Sequence, residues 1–509
     1  MTCDEELLEK LEAGVARITD AVGSTLGPKG RNVIIERKYG SPTVTKDGVT
    51  VAREIFLEDS VENMAAQLVK EAAVRTNDTS GDGTSTSTVL ACAFFAKALD
   101  LIRNGASPID VKNKIDDICT KAVAWLKKKS RAVTGEELEN VAAISANDKE
   151  IGKLVYKVLG DNPNKVVTVE EAGGLTTEVE NVDGIRFDRG FVSHYMMTSP
   201  ERSEAVLNNP AVLVTDSKMA SGEEMLMLME TLARNGRKEL LVICEDIEGD
   251  ALATLVANKM RGNFMGVAVK APGFGETKSE VLKDIAIICG CEVIGQTTGL
   301  SLGQPDLKLF GSAKKVVVTK DNTTVVGGAG SKDLIVQRAE QVKKLITKAK
   351  SQFDKDRLAD RLGKLTGGVS VIKVGAATES SIKEIKQRVE DALQATVAAS
   401  EEGVLPGGGN ALAICANELK DTDQDLVDAL REPYRQIGRN ADNMQPVPSV
   451  WDVGMDMATG EEKPSLLEAG IMDPTKVTRS ALENAASIAG LLTMSAFSLT
   501  FLPQEENNK

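Results

Sequence analysis

Five short apolar runs crowd the middle of the chain: AVLVTD, ELLVICED, GVAVKAP, CEVIGQ and KKVVVTK. They alternate with helical stretches at 222–235, 249–261 and 279–287, and turn residues bound each one. That alternation predicts an α/β layer, with strands buried under helices. The two ends of the chain read differently. From Asp4 to Ser24, Leu7, Leu8, Leu11, Val15, Ile18 and Val22 recur at helical spacing, and LGPKG ends the helix. NVIIERKYGSPTVTKDGVTV predicts two strands around a turn at Gly40 and Ser41. Further helices are expected over 61–75, from GDGTSTST through Leu99, and over 108–129. Later come a long charged helical segment at 332–365, the strand GGVSVIKVGA and a helix from Glu379 to Ser400. After GVLPGGGN, helices should dominate again to the C-terminus. The order is helical, mixed, helical, so one domain should be assembled from both ends with the α/β domain inserted. Gly184 and the pair Gly367 and Gly368 flank the insertion, as hinges or as ordinary turn residues.

A chain of 509 residues is too long for one core and suggests about three domains. Only 3% of residues are aromatic, which leaves Ala, Val, Leu and Ile to fill the cores and favours helices. A formal charge of −14 with no basic stripe argues against nucleic acid as a partner. Seven cysteines occur without a CxxC pair; Cys289 and Cys291, if extended, would sit roughly 6.6 Å apart at the edge of disulfide reach. Reduced thiols without a structural zinc are the simpler reading. His194 is the single histidine, which argues against a multi-histidine metal site or a Ser-His triad. No apolar stretch approaches the ~20 residues of a membrane span, and MTCDEELLEK lacks a signal core, so a cytoplasmic protein without membrane partners is expected.

GDGTSTST opens an apolar helix with a glycine-flanked acid and a run of hydroxyls. Such a start aims free N–H groups and a positive dipole end at a bound anion. Thr84, Ser85, Thr86 and Thr88 would donate hydroxyls, Gly81 and Gly83 allow close approach, and Asp82 could hold a hard cation such as Mg2+. Taken alone, Asp82 and Thr84 read first as a plain helix cap. LGPKG fits a tight turn or a phosphate loop; the chain has no GxxxxGK[ST] run, which argues against a Walker-type ATPase. The glycines at 407–409 fit a linker or a ligand approach, and Asp47 a turn. Asp391, in RVEDALQAT, lies at the edge of an apolar helix face, as a solvated charge or as a base that orients an attacking water.

Read together, these segments resemble one family. TLGPKGRNV, TKDGVTVAREI, ENMAAQLVKEAA, SGDGT, KAPGFG, GGVSVIKVGAAT, RVEDALQAT, EEGVLPGGGNAL and DPTKVTRSALENAAS stand in the order found in bacterial GroEL-type (group I) chaperonins, over about residues 5–498. The resemblance implies a multidomain α and α/β chaperonin fold. Its domains would be an equatorial ATP-binding domain (1–128 and 402–509), an intermediate hinge domain (129–183 and 369–401) and an apical substrate-binding domain (184–368). It implies ATP and Mg2+ as ligands, with K+ as an optional further cation. Thr25, Leu26, Gly27 and Pro28 match the phosphate loop, and Lys46 with Asp47 a second phosphate-side segment. Asp82 matches the Mg2+ ligand, with Gly83, Thr84, Ser85 and Thr86 around the phosphates. Asp391 matches the hydrolytic aspartate, with Asp47 as a second catalytic acid. Gly407 and Gly408 match glycines near ribose and base, and Ile471 and Asp473 close the far side. Phe191, Tyr195, Met196, Leu226, Met229, Leu252, Val256 and Ala257 match an apical groove that takes unfolded chains and a co-chaperonin lid.

Physically, helices at 222–235 and 249–261 would present an apolar stripe, and EEMLMLME is rich in adaptable methionine. Without the resemblance, core packing is the ordinary explanation of such a stripe. The implied activity is ATP-driven folding inside a homo-oligomeric, heptameric ring; a ring-shaped holdase or scaffold with little turnover is the rival. The sequence also departs from the family. GDGTTTATV becomes GDGTSTSTV, and the segment from Gly409 to Gly454 is shortened. Asp456, Met457 and Ala458 stand where the family has its Asn-Ala-Ala adenine contact, and FLPQEENNK replaces a Gly-Gly-Met tail. A divergent bacterial copy and a phage-encoded one in its host's cytoplasm both fit.

Overall fold

The computed structural model describes residues 2–37, 42–133, 135–160, 165–172, 174–199, 202–273, 275–295, 306–349, 351–495 and 497–498. The expected turn at Gly40 and Ser41, Phe274 of KAPGFG and the C-terminal FLPQEENNK lie outside the described residues. The chain divides into two compact units. The first comprises 1–164, 169–178 and 373–509, and the second 165–168 and 179–372.

The first unit opens with β1 (Thr2–Cys3) and α1 (Asp4–Gly23), whose Leu7, Leu11, Val15, Ile18 and Val22 form one buried stripe. β2 (Val33–Ile35) and β3 (Thr43–Thr45) pair antiparallel, with Ile34 opposite Val44. Next come α2 (Gly48–Glu54), α3 (Ser60–Ser80), α4 (Thr84–Arg103), α5 (Pro108–Lys129), α6 (Glu137–Ala146) and α7 (Lys149–Leu159). Local chemistry sets these starts. Asp59 accepts from the N–H groups of Val61 and Glu62 at the head of α3, Pro108 opens α5, and Asp148 caps α7. α4, like α5 and α6, starts without a side-chain cap bond, and its N-cap is a glycine, Gly83, at φ +86°.

By length and composition α4 is also the one described helix able to cross a membrane, with mean hydropathy 1.4. That corrects the reading that no stretch approaches such a length. Its Leu90, Phe94, Phe95 and Leu99 are instead packed into the helical core.

β4 (Val166–Glu171), β5 (Glu178–Val182) and β6 (Gly184–Phe187) lead into the second unit. There β7 (Ala205–Asn208), β8 (Ala211–Val214), β9 (Lys218–Met219), α8 (Gly222–Arg234), β10 (Glu239–Cys244), β11 (Asp246–Ile247), α9 (Gly249–Met260), β12 (Met265–Lys270) and α10 (Glu276–Cys289) alternate. β13 (Gly311–Val318), β14 (Thr323–Gly328), α11 (Lys332–Lys348) and α12 (Gln352–Thr366) complete it before β15 (Val369–Val374). The main sheet runs β12-β10-β8-β13-β14-β6, with β7 beside β13. β12, β10 and β8 are parallel, as expected for strands linked by helices, and the others antiparallel.

Three expectations change here. CEVIGQ contributes a single bridge, Ile294 to Thr215, because α10 runs on to Cys289 and leaves few residues to extend. Cys289 is thus helical, and both it and Cys291 are free thiols. The charged segment is two helices: Ser351 caps α12 by accepting from the Asp354 N–H at 3.0 Å, a break that the spacing S-x-x-D carries. Gly184 lies inside β6, where a side chain would strike the Val325 carbonyl, so close strand packing requires it rather than a turn.

The second unit also holds a buried ion cluster. Asp284 on α10 is 1% exposed and accepts from Arg338 Nε at 2.7 Å and Arg361 Nη2 at 2.9 Å, while Arg338 Nη2 reaches Glu280 at 2.7 Å. Burial acts to raise Glu280, but its bonds to Lys283 and Arg338 outweigh it and hold the carboxyl down at about 2.

The chain returns to the first unit with α13 (Glu379–Glu402), β16 (Val404–Pro406), α14 (Asn410–Glu418), α15 (Gln424–Val427), α16 (Glu432–Asn440), β17 (Gly454–Asp456), β18 (Glu461–Lys463), β19 (Met472–Pro474), α17 (Thr475–Thr493) and β20 (Phe497–Ser498). Helices do not dominate this stretch throughout. Two short ribbons, β16 with β19 and β17 with β18, follow or precede the irregular segment 441–453. In that segment Trp451 meets Trp125 of α5 edge to face, with centroids 5.3 Å apart, and the Lys129 ammonium lies 5.7 and 5.6 Å from the two rings. Leu482, Ala485, Ile488 and Leu492 of α17 share the core of α1, α3, α4 and α5, so both chain ends build one hydrophobic centre.

Candidate active site

The uncapped N-terminus of α4 is the centre of the site. Without a side-chain acceptor its first N–H groups are free to meet an anion. α3 ends at Gly81 in the left-handed conformation, and Asp82 bridges the two helices. Its Oδ1 accepts from the Gly83 N–H at 2.5 Å and its Oδ2 from the Ser145 hydroxyl of α6 at 2.9 Å. Burial pushes the Asp82 carboxyl above its ordinary range and the Asp47 charge adds to this, while the Gly83 and Ser145 donors offset part of it.

The loop after α1 docks on this start. Thr25 Oγ1 and Ser85 Oγ lie 3.0 Å apart, and the Lys46 ammonium donates to the Gly27 carbonyl at 2.9 Å. Burial lowers Lys46, and Arg388 nearby adds to that. A side chain at Gly48 would come within 2.3 Å of Ser85 Oγ, so α2 and α4 meet head to head. Asp47 caps α2: its Oδ1 accepts from Val49 N–H at 3.2 Å and its Oδ2 from Thr50 N–H at 2.9 Å. Thr84 is buried, whereas Ser85 and Thr86 are partly open. Thr88, read above as a hydroxyl donor, is corrected: it is fully buried and donates back to the Thr84 carbonyl at 3.0 Å.

The far wall is the β16–β19 ribbon, which sets Asp473 opposite Leu405 beside the glycine run. Asp473 accepts from the N–H groups of Gly408 and Gly409, yet burial, and next the charge of Asp82, push its carboxyl up to about 7. Open space lies where a side chain at Gly408 would stand, at φ +69°, while one at Gly409 would strike Tyr434 N at 2.7 Å. The Gly407 N–H donates to the Ile471 carbonyl at 3.0 Å. Because Asp473 is held above its ordinary range, its charge opposes folding: its contribution is fully favourable below about pH 4 and fades as pH rises to about 7. Asp473→Asn is therefore expected to melt at a higher temperature than the unsubstituted chain at pH 8 and to lose that advantage at pH 4. Thermal scans at the two values read this.

Beside the head of α4 lies α13. Gln387 bonds to Asp47, and the Gly81 backbone abuts Gln394, where a side chain on the glycine would lie 2.2 Å from Gln394 Cβ. Asp391 is four residues from one anchor and three from the other, on the same helix face. Sequence reasoning missed both Gln387 and Ser145; a polar residue one turn before an expected catalytic acid is the signal that Gln387 carried.

On the side expected for the base, Asp456 engages both of its carboxylate oxygens in a local turn. Its Oδ1 accepts from Ala458 N–H at 2.9 Å and its Oδ2 from the Thr459 hydroxyl at 2.8 Å, which closes its own turn. Ala458 is exposed on that turn. Met457 is buried with Tyr434, Ile437 and Ala441, against Leu26 of the loop. The wall here is apolar rather than amide-lined.

A metal ion fits this donor set. Mg2+ usually binds through one or two carboxylates plus phosphate oxygens, and the pressure of burial and of the neighbouring Asp47 charge on Asp82 favours a cation there. Among the described residues no three His, Cys, Asp or Glu side chains gather as a self-sufficient metal cage.

The residues matched to a groove lie in the second unit. Met196, Met229 and Phe191 are buried in its core, with Met196 Sδ accepting from Ala268 N–H at 3.4 Å. Leu252, Val256 and Ala257 are half-buried on α9. Tyr195 (66%) and Leu226 (44%) are the open ones. Met260 was missed: it continues the Leu252 and Val256 spacing and is 67% exposed. Lys259 Nζ donates to the carbonyls of Tyr195 (2.7 Å) and Met197, which ties the 194–197 turn to α9.

The profile of the TCP-1/cpn60 chaperonin family matches residues 18–494. The chain belongs to that family. Two crystal forms of the chaperonin gp146 from bacteriophage EL 2 (Pseudomonas aeruginosa), both in the presence of ATP-BeFx, share its fold. Each is 21% identical over 97% of this chain and 98% of that one, with TM-scores of 0.66 and 0.61. This chaperonin thus has the multidomain α and α/β chaperonin fold that the sequence led one to expect.

Proposed function

We propose that this chaperonin is an ATP-driven folding machine of the bacterial GroEL type, with its nucleotide site at the head of α4. One observation carries the reading: a bare helix N-terminus, Asp82, Asp47 and the Asp391 face of α13 lie close together in the first unit. On this proposal the Gly83–Thr86 N–H groups and hydroxyls hold the phosphates, with Thr25 to Pro28 and Lys46 on their flank. Mg2+ on Asp82 would neutralise phosphate charge; K+ is an optional second cation. Asp391 accepts the proton of the attacking water while Asp47, fixed by its bonds, helps to orient it. Gly407, Gly408, Ile471 and Asp473 flank the ribose, and Leu26 and Met457 line an apolar base wall.

The second unit would be the apical domain, taking non-native chains on Tyr195, Leu226, Leu252, Val256 and Met260. The first would combine the equatorial domain with the intermediate segments around α6, α7 and α13. Seven copies in a ring, a separate lid protein and a cytoplasmic setting complete the proposal. Phosphate release from ATP is expected to require Mg2+ and to accompany retention of a chemically denatured probe protein. Absence of Mg2+-dependent phosphate release from intact particles would overturn the reading in favour of a passive holdase, and electron microscopy of the same particles counts the subunits.

A further inference from the structure

We propose that Gln387 is a positioning residue that latches α13 onto the phosphate-side segment and fixes Asp47 in one orientation. The inference rests on the ATPase reading above. The side-chain amide of Gln387 is used at both ends. Its Oε1 accepts from the Thr45 hydroxyl at 3.1 Å, and its Nε2 donates to Asp47 Oδ2 at 2.5 Å and Thr50 Oγ1 at 3.0 Å. Reversing the amide would set its oxygen against the Asp47 carboxylate, so the contacts define its direction.

The consequence for Asp47 is specific. Oδ2 collects three donors, from Thr50 N, Thr50 Oγ1 and Gln387 Nε2, whereas Oδ1 accepts from Val49 N–H. Rotating the carboxylate would break the Oδ2 set, so Oδ1, with its single donor, is the oxygen that keeps acceptor capacity for a water. Gln387 thus makes three side-chain bonds from α13 to residues 45–50.

The same latch sets the place of Asp391. Residues 387, 391 and 394 share a face, and Asp391 lies about 6 Å along the axis from Gln387 and about 4.5 Å from Gln394. With Gln394 against Gly81, Asp391 is held between two fixed points. Arg388 ties the adjoining face to the Ala146 carbonyl at 3.4 Å and to Asp148 at 3.5 Å, which leaves Gln387 to set the tilt toward Asp47. Latching α13 and orienting Asp47 are then one event.

Gln387→Met keeps volume and helix preference and removes only the hydrogen bonds; Gln387→Glu sets a carboxylate against Asp47. In full-length protein without nucleotide, hydrogen exchange in peptides spanning 42–54 and 379–402 is expected to quicken in both variants, with α4 and α17 unchanged. Turnover should fall about tenfold or more while KM and nucleotide affinity hold within about twofold, as expected where positioning supplies most of the rate. The Glu variant should be the slower of the two. Unchanged exchange with unchanged turnover would overturn the latch, as would a loss of nucleotide affinity that tracks the loss of rate. If exchange responds as stated but the unsubstituted chaperonin hydrolyses no ATP, the latch stands and the ATPase reading falls.

Discussion

Asp391→Ala is expected to lower ATP turnover by about 10²- to 10⁴-fold, the range in which a positioned acid or base contributes. Nucleotide affinity should change little, because the phosphates would be held by the head of α4 and the loop after α1 rather than by α13. Misfolding is a weak confounder: alanine is the better helix former, and the anchors at Gln387 and Gln394 remain. Asp391→Asn adds a sharper comparison, since the amide keeps the shape and loses the basic oxygen. Single-turnover phosphate release set beside equilibrium nucleotide binding separates the two quantities. Turnover that persists in both variants would remove Asp391 from the chemistry and leave Asp47 as the candidate.

The second large effect concerns stability. Asp284→Ala would take the buried acceptor away from the largely buried guanidinium groups of Arg338 and Arg361 and leave them only the more exposed Glu280 as a shared partner. Breaking such a cluster from one side typically costs about 3–5 kcal/mol, far more than deleting a surface pair. The loss should appear as faster hydrogen exchange in 276–289 and in α11 and α12, with the first unit's helices unaffected. Glu280 adds a pH signature to the same cluster. Its carboxyl is held down at about 2, so its stabilising contribution is present above its ordinary value near 4.5 and fades as pH falls toward 2. Exchange that stays slow in Asp284→Ala would show that hydrophobic burial alone carries this unit.

What the sequence disclosed depended on how local the cause was. α5 begins and ends where Pro108 and Lys129 place it, and α1 follows its apolar stripe, because both signals lie within the helix itself. The break between α11 and α12 was also local, but the interleaved charges of 332–365 masked the Ser351 cap. The site divides in the same way. Gly83 and the hydroxyl run announce an unusual helix start, while nothing near Gln387 in the chain tells that Thr45 and Asp47 lie beside it, more than three hundred residues away. Asp456 shows the reverse. By resemblance it stands at a ligand position, yet the short turn to Gly460 engages both of its carboxylate oxygens and its carbonyl.

The tryptophan pair makes the chain an uneven optical object. It has two tryptophans, Trp125 and Trp451, and both sit in the first unit within one edge-to-face contact under Lys129. Intrinsic emission excited at the indole band therefore reports that unit alone, and in particular the irregular segment that leads to Met457. Unfolding followed by tryptophan light will register the first unit and pass over the second. A tryptophan in place of the exposed Tyr195 would give the second unit a signal of its own, at the surface proposed to receive non-native chains.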